Sequence, residues 1–84
     1  MKLNELFEDK FICFKNKVGA TVFWNENGVG YTGNIQEAGL FTAEEVIEKF
    51  RLNILTADEI KRGLYKRYTH FAAKLSDALK YFNY

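Results

Sequence analysis

Two short runs, TAEEVI at residues 42–47 and TADEIK at residues 56–61, carry the same helix-start signal. In each, a threonine stands three residues before a glutamate. The hydroxyl can accept from the N3 backbone N–H while the carboxylate returns to the N-cap N–H, a capping box. Phe41 with Val46, and Leu55 with Ile60, fall where a hydrophobic staple closes such a turn. The acids just inside each start complement the positive end of a helix dipole. Two helices are therefore expected, and the strand-like segments must precede them. The first is short, about residues 43–52, with Val46, Ile47 and Phe50 turned inward. The second is long. Ile60, Leu64, Tyr68, Phe71, Leu75, Leu79 and Phe82 recur at three- and four-residue spacing, which predicts one apolar stripe along a continuous C-terminal helix. Gly63 lies inside that stripe and costs about 1 kcal/mol relative to alanine.

Ahead of the helices, KFICFK and ATVFWNE are rich in β-branched and aromatic residues, and the intervening NKVG places Asn16 and Gly19 at turn positions. This pattern predicts a hairpin. Ala20, Val22 and Trp24 share one face of its second strand, and Thr21, Phe23 and Asn25 share the other. Both faces hold large apolar groups, so one is expected to be covered and the other partly used. VGYT can add a short third strand after a turn at Asn27-Gly28, and Gly39 permits a tight bend before the first helix. The expected fold is α+β: an N-terminal antiparallel β-hairpin, or three-stranded sheet, packed against one short and one long C-terminal helix. At 84 residues it is expected to be a single small domain spanning residues 1–84.

Composition excludes several chemistries. One cysteine, Cys13, and one histidine, His70, leave neither an intrachain disulfide nor a Cys- or His-rich metal cage. The start MKLNELFEDKF has acids where a secretory leader needs an apolar run, and no stretch approaches the roughly 18 apolar residues of a membrane span. The expected location is cytoplasmic, with no membrane partner.

Gly28, Gly30 and Gly33 in NGVGYTG stand at the G-x-G-x-x-G spacing of a dinucleotide loop. Such a loop needs a helix that starts at once, so that its N-terminus meets the pyrophosphate. Here the next helix signal is Thr42, and the region where an acid should contact the ribose reads RLNIL. The glycines are better read as serving turns, and no cofactor is expected. Cys13 lies in an apolar strand, where a thiol behaves as a small hydrophobe rather than a nucleophile paired with His70. Glu44, Glu45 and Glu48 belong to a capped, exposed helix, and with Glu37 they form no D-x-D-x-D-G cation loop. No catalytic constellation emerges, so a non-enzymatic protein is expected.

Residues 23–46, FWNENGVGYTGNIQEAGLFTAEEV, resemble a pattern of small, mostly uncharacterised phage and prophage accessory proteins. The pattern is an aromatic strand ending in Trp, then Asn-Gly-x-Gly-Tyr-Thr, Glu-Ala-Gly, an aromatic and Thr-x-Glu-Glu. The resemblance implies a viral accessory role in a bacterial host and supplies no catalytic residues. Residues 56–84 lie outside it.

What remains is surface. Residues 56–84 carry six Lys/Arg against three Asp/Glu, while residues 1–55 carry six against eight. On the expected long helix, Arg62, Lys66, Arg67, His70, Lys74 and Lys80 lie opposite the apolar stripe. Exposed aromatics and Arg are the usual anchors of interfaces. The candidate partner-binding residues are therefore Tyr31, Tyr81 and Tyr84 with Arg62, Lys66, Arg67 and Lys74. The expectation is a phage-encoded binding protein that occupies a host protein surface, most concretely an inhibitor of a bacterial defence nuclease of the anti-CRISPR kind. The alternative is a small nucleic-acid-binding regulator using the same basic face with its interleaved tyrosines. The apolar stripe exceeds what a hairpin and a short helix cover easily, and a homodimer is one way to bury the remainder.

Overall fold

The computed structural model describes residues 10–26 and 29–82. Its centre is FICF, four consecutive buried residues at the start of the first strand. A strand points alternate side chains to opposite faces, so a run buried on both faces needs cover above and below and a neighbour on each edge. The chain meets that demand with four strands: β1 (Phe11–Lys17), β2 (Ala20–Trp24), β3 (Tyr31–Thr32) and β4 (His70–Lys74). They form one antiparallel sheet in the order β3-β2-β1-β4.

The β1–β2 hairpin forms as expected, with Lys17 opposite Ala20 across a two-residue turn of Val18 and Gly19. Gly19 takes φ 82°, the left-handed conformation such a turn favours. Asn16 and Lys17 remain within β1, so the turn is tighter than the four-residue NKVG turn expected from sequence. The short third strand also forms, though only over Tyr31 and Thr32.

The long C-terminal helix does not form. Its capping box does: the Thr56 N–H donates to Glu59 Oε1 at 2.9 Å, and the Glu59 N–H donates to Thr56 Oγ1 at 3.2 Å. The resulting helix α1 (Ala57–Lys61) stops at Gly63, whose φ of 77° is left-handed and whose N–H donates to the Ile60 carbonyl. A 3-10 turn (Leu64–Arg67) comes next, then β4, then a second short helix α2 (Leu75–Tyr81). The stripe picks out four buried residues of its seven but not their geometry. Ile60, Phe71, Leu75 and Phe82 enter one core cluster from separate pieces of backbone. These four are buried within the one chain, while Leu64, Tyr68 and Leu79 are half-buried.

The first helix is also shorter than expected. Residues 43 and 44 are α-helical and run into a π turn (Glu45–Lys49), with the Phe50 N–H reaching the Glu45 carbonyl. Val46 is fully buried and Phe50 half-buried, but Ile47, expected inward, is 56% exposed. The wider π turn re-aims the side chains it carries.

Each face of the sheet carries a layer. On one face Ile12, Phe14, Phe23, Phe71 and Ala73 meet α1, α2 and the 3-10 turn. Phe14 lies at the middle, stacked on Phe71 with centroids 4.6 Å apart and planes within 3°, and Phe82 lies 4.7 Å away. On the other face Phe11, Cys13, Trp24 and Ala72 meet Phe41, Val46 and Phe50. Both faces of the hairpin are therefore covered at this end. The outer edge of β4 is closed by residues 53–55: the Ala72 N–H donates to the Asn53 carbonyl, and the Leu55 N–H donates to the Ala72 carbonyl. Among the described residues no helix is long and apolar enough to cross a membrane.

Candidate functional site

Burial along β1 falls from complete at Phe14 to exposed at Lys17, so both covering layers run out toward the hairpin turn. At that end of the molecule sheet residues reach solvent on both faces.

On the Cys13 face, strand parity and register place Lys15, Lys17, Val22, Tyr31 and His70 together. Tyr31 is 39% exposed, and two ammonium groups lie over its ring: Lys15 Nζ at 4.9 Å from the centroid and Lys17 Nζ at 5.4 Å. Each is within the range of a cation–π contact. Val18, at the turn itself, is fully exposed. His70 meets Trp24 edge to face at 5.8 Å, at the boundary where the covering layer begins. The Trp24 Nε1–H is buried there and finds no hydrogen-bond partner among the described residues.

On the opposite face Asn16 takes the place of core. Its Nδ2 donates to the carbonyls of Tyr65 at 2.8 Å and Tyr68 at 2.7 Å, and its Oδ1 accepts from the Thr21 hydroxyl at 2.6 Å. One side chain thus ties the 3-10 turn to β1 and β1 to β2. Beyond it opens a groove of about 640 Å³ between β2, Gly33 and the Tyr65–Lys66 and Tyr81–Phe82 segments.

The expected binding residues separate. Lys66 and Tyr81 line the groove, and Tyr31 lies on the other face of the same end. Arg67 is exposed on the 3-10 turn. Arg62 pairs with Asp58 at 3.4 Å, both exposed, at the end of α1. Lys74 pairs with Phe11 and so sits at the far end of β4, about 13 Å from His70 at roughly 3.3 Å per residue. The basic face drawn along one helix is corrected: with Gly63 ending α1 and residues 70–74 extended, these side chains no longer share a face. Tyr84, Asn27 and Gly28 lie outside the described residues.

Sequence reasoning missed Lys15, Lys17, Val18 and Asn16. The alternation in KFICFK already put Lys15 on the Cys13 face, but the partner that gives it meaning, Tyr31, arrives only through the β2–β3 register. Asn16 carried no signal, because an asparagine near a glycine reads as a turn residue.

Cys13 is fully buried, and burial, reinforced by the nearby Glu45 charge, pushes its thiol up to about 12. His70 stands opposite Lys15, two residues along from Cys13's partner Ala72, and no hydrogen bond joins the two groups among the described residues. Glu45 serves its capping box: the Thr42 N–H donates to its Oε1 at 3.0 Å, and that bond holds the carboxyl below the usual range. Glu37 accepts from the Thr32 hydroxyl at 2.9 Å. No group of three or more His, Cys, Asp or Glu side chains is placed to hold a metal ion among the described residues. After Gly33 comes a 3-10 turn (Ile35–Glu37) capped by Asn34, with no helix of a length that would present a dipole to a pyrophosphate. Compared with known protein families, with curated proteins and with solved structures, the chain matches none.

Proposed function

We propose that this chain is a binding protein that works by occupying the surface of a host protein. A phage-encoded inhibitor of a bacterial defence system, of the anti-CRISPR kind, is the most concrete form of that reading. One observation carries it: Lys15 and Lys17 stand over the exposed Tyr31 ring beside a fully exposed Val18, on a hairpin whose other end is locked into the core. Aromatic, cationic and aliphatic groups side by side are what a recognition patch needs, and the core-anchored strand β1 fixes where its two lysines stand. The buried, protonated Cys13 is poorly suited to act as a nucleophile. The resemblance of residues 23–46 to phage accessory proteins supports the setting.

The charge favours an acidic protein surface over nucleic acid. Of the expected basic face, Lys74 stands at the far end of β4 from His70, and Arg62 has Asp58 beside it. A phosphate backbone is tracked by a continuous stripe.

Affinity capture from bacterial lysate, read by mass spectrometry, tests the proposal with wild type beside a Lys15→Glu/Lys17→Glu/Tyr31→Ala variant. A host protein retained by wild type and lost by the variant supports it. Binding to arbitrary oligonucleotides that falls steeply between about 50 and 200 mM salt, with no protein captured, overturns it in favour of a nucleic-acid regulator.

A further inference from the structure

The groove behind β2 opens on the Asn16 side of the hairpin end and shares only Lys17 and Val22 with the Tyr31 patch. It measures about 640 Å³, within the roughly 300–1,000 Å³ of clefts that hold ligands. Its lining is mainly apolar: residues 20–22 of β2 and Gly33 on one side, Tyr65, Tyr81 and Phe82 on the other. Lys17 and Lys66 are its charged lining residues, and no carboxylate lines it among the described residues. Lys80 Nζ lies over the Tyr81 ring at 5.4 Å, which adds a third cation to that side.

An apolar trough bounded by cations suits a segment that combines an apolar side chain with carboxylates. We propose that the groove between β2 and the Tyr65–Tyr81 wall takes one apolar side chain of an acidic stretch of the partner protein, with flanking carboxylates against Lys17 and Lys66. The inference rests on the protein-binding reading and names the partner's chemistry. Lys17 joins the two surfaces, since it lines the groove and also meets Tyr31. The partner would therefore wrap the hairpin end, meeting the Tyr31 patch with one part and the groove with another.

Gly33 makes the groove testable without disturbing the fold. It lines the groove, its φ lies outside the left-handed region, and a Cβ built there meets nothing within 4 Å. Gly33→Trp therefore adds an indole at the groove wall without a clash at Cβ. The probe is a blocked pentapeptide, Asp-Asp-Phe-Asp-Asp, titrated into the labelled protein and followed by backbone amide shifts. Shifts should concentrate at Thr21, Val22, Gly33, Tyr65 and Lys66. Gly33→Trp and Lys66→Glu should each weaken binding about tenfold, since each removes the burial of one side chain or one charge pair. Peptides with lysine for aspartate, or glycine for phenylalanine, should not bind.

Shifts confined to other surfaces, equal binding by the lysine peptide, or groove shifts produced by oligo(dT) but not by the acidic peptide overturn the proposal. Loss of the melting transition in Gly33→Trp would leave Lys66→Glu as the deciding variant. A host protein captured equally by wild type and Gly33→Trp overturns the groove and leaves the binding function standing. Failure to capture any protein counts against the function, and the peptide titration then judges the groove alone.

Discussion

Cys13 shows how one buried side chain couples this fold to pH. Its thiol is fully enclosed between β1, β4 and the 41–50 segment, and is held protonated up to about 12 against an ordinary value of 9.0. In the unfolded chain the thiol ionises near its ordinary value, so above that pH the unfolded state binds fewer protons than the native state. The sign is then fixed: stability is whole below about pH 9 and falls as pH rises toward 12. One proton allows a slope of up to about 1.4 kcal/mol per pH unit. Urea titrations of wild type and Cys13→Ala between about pH 9 and 12 should differ by that slope, which separates Cys13 from tyrosines and lysines common to both. Parallel curves would mean that the thiol ionises in the native state. The glycines give a second contrast. A Cβ at Gly39 would lie 2.7 Å from both the Asn25 carbonyl oxygen and the Glu26 Cα, because the Gly39 N–H donates to the Trp24 carbonyl at 2.9 Å. Gly39→Ala should cost about 1–3 kcal/mol, the usual range for overpacking, whereas Gly33→Ala should cost nothing measurable. Thermal melts of the two variants side by side check this, and similar losses at both positions would show that the approach at Gly39 relaxes.

Among the elements, the two capping boxes are the clearest case of local sequence deciding local structure, and the segment after each box marks where local sequence stops deciding. After Thr42 the chain makes a π turn and leaves it through Arg51, at φ 55° the one non-glycine with positive φ among the described residues. Arg51 is exposed and stands in the conformation that glycine adopts without Cβ strain. Arg51→Gly should raise the unfolding free energy by about 0.5–1 kcal/mol after the entropy glycine gains in the unfolded chain. A drop on urea titration would show that the arginine side chain repays its strain. The hairpin, the third strand and both helix starts were legible because each depends on a few adjacent residues. The strand β4 was not. Tyr68, Phe71 and Leu75 satisfy a helical stripe equally well, and what overrules it is remote: β1 is buried on both faces and needs a second ladder partner. FICF announced that need, and THFAAK, with its β-forming threonine and aromatic, was an uncommitted segment able to meet it. The candidate site was legible only in its residue types. Tyr31, Lys66 and Tyr81 lie at the hairpin end proposed to bind, but their neighbours Lys15, Lys17 and Asn16 are set by strand register, which periodicity in one segment cannot reveal.

At the scale of the whole molecule, the proposed binding end joins the most and least protected parts of one sheet. β1 has a ladder on each edge and core on each face, so its amides are released only when the sheet comes apart. β3 has two residues, pairs with β2 alone, and carries the exposed Tyr31 ring. The Lys15–Tyr31 contact therefore spans the full range of local stability, from a strand fixed by the core to one held by a short ladder. An interface built this way can adjust Tyr31 while Lys15 keeps its place, and the adjustment must be withdrawn once a partner is seated. Native-state hydrogen exchange reads both halves of that statement. In the free protein the amides of Cys13 and Phe14 should exchange with the global unfolding free energy, about 4–13 kcal/mol for a chain of this size at roughly 0.05–0.15 kcal/mol per residue. Those of Tyr31 and Thr32 should exchange faster, by local opening insensitive to low denaturant. With a captured partner bound, protection at Tyr31 and Thr32 should rise while that at Phe14 tracks only the gain in global stability. Equal protection of β1 and β3 in the free protein would mean that the sheet opens as one unit. Unchanged exchange at β3 in the complex would place the contact elsewhere on the molecule.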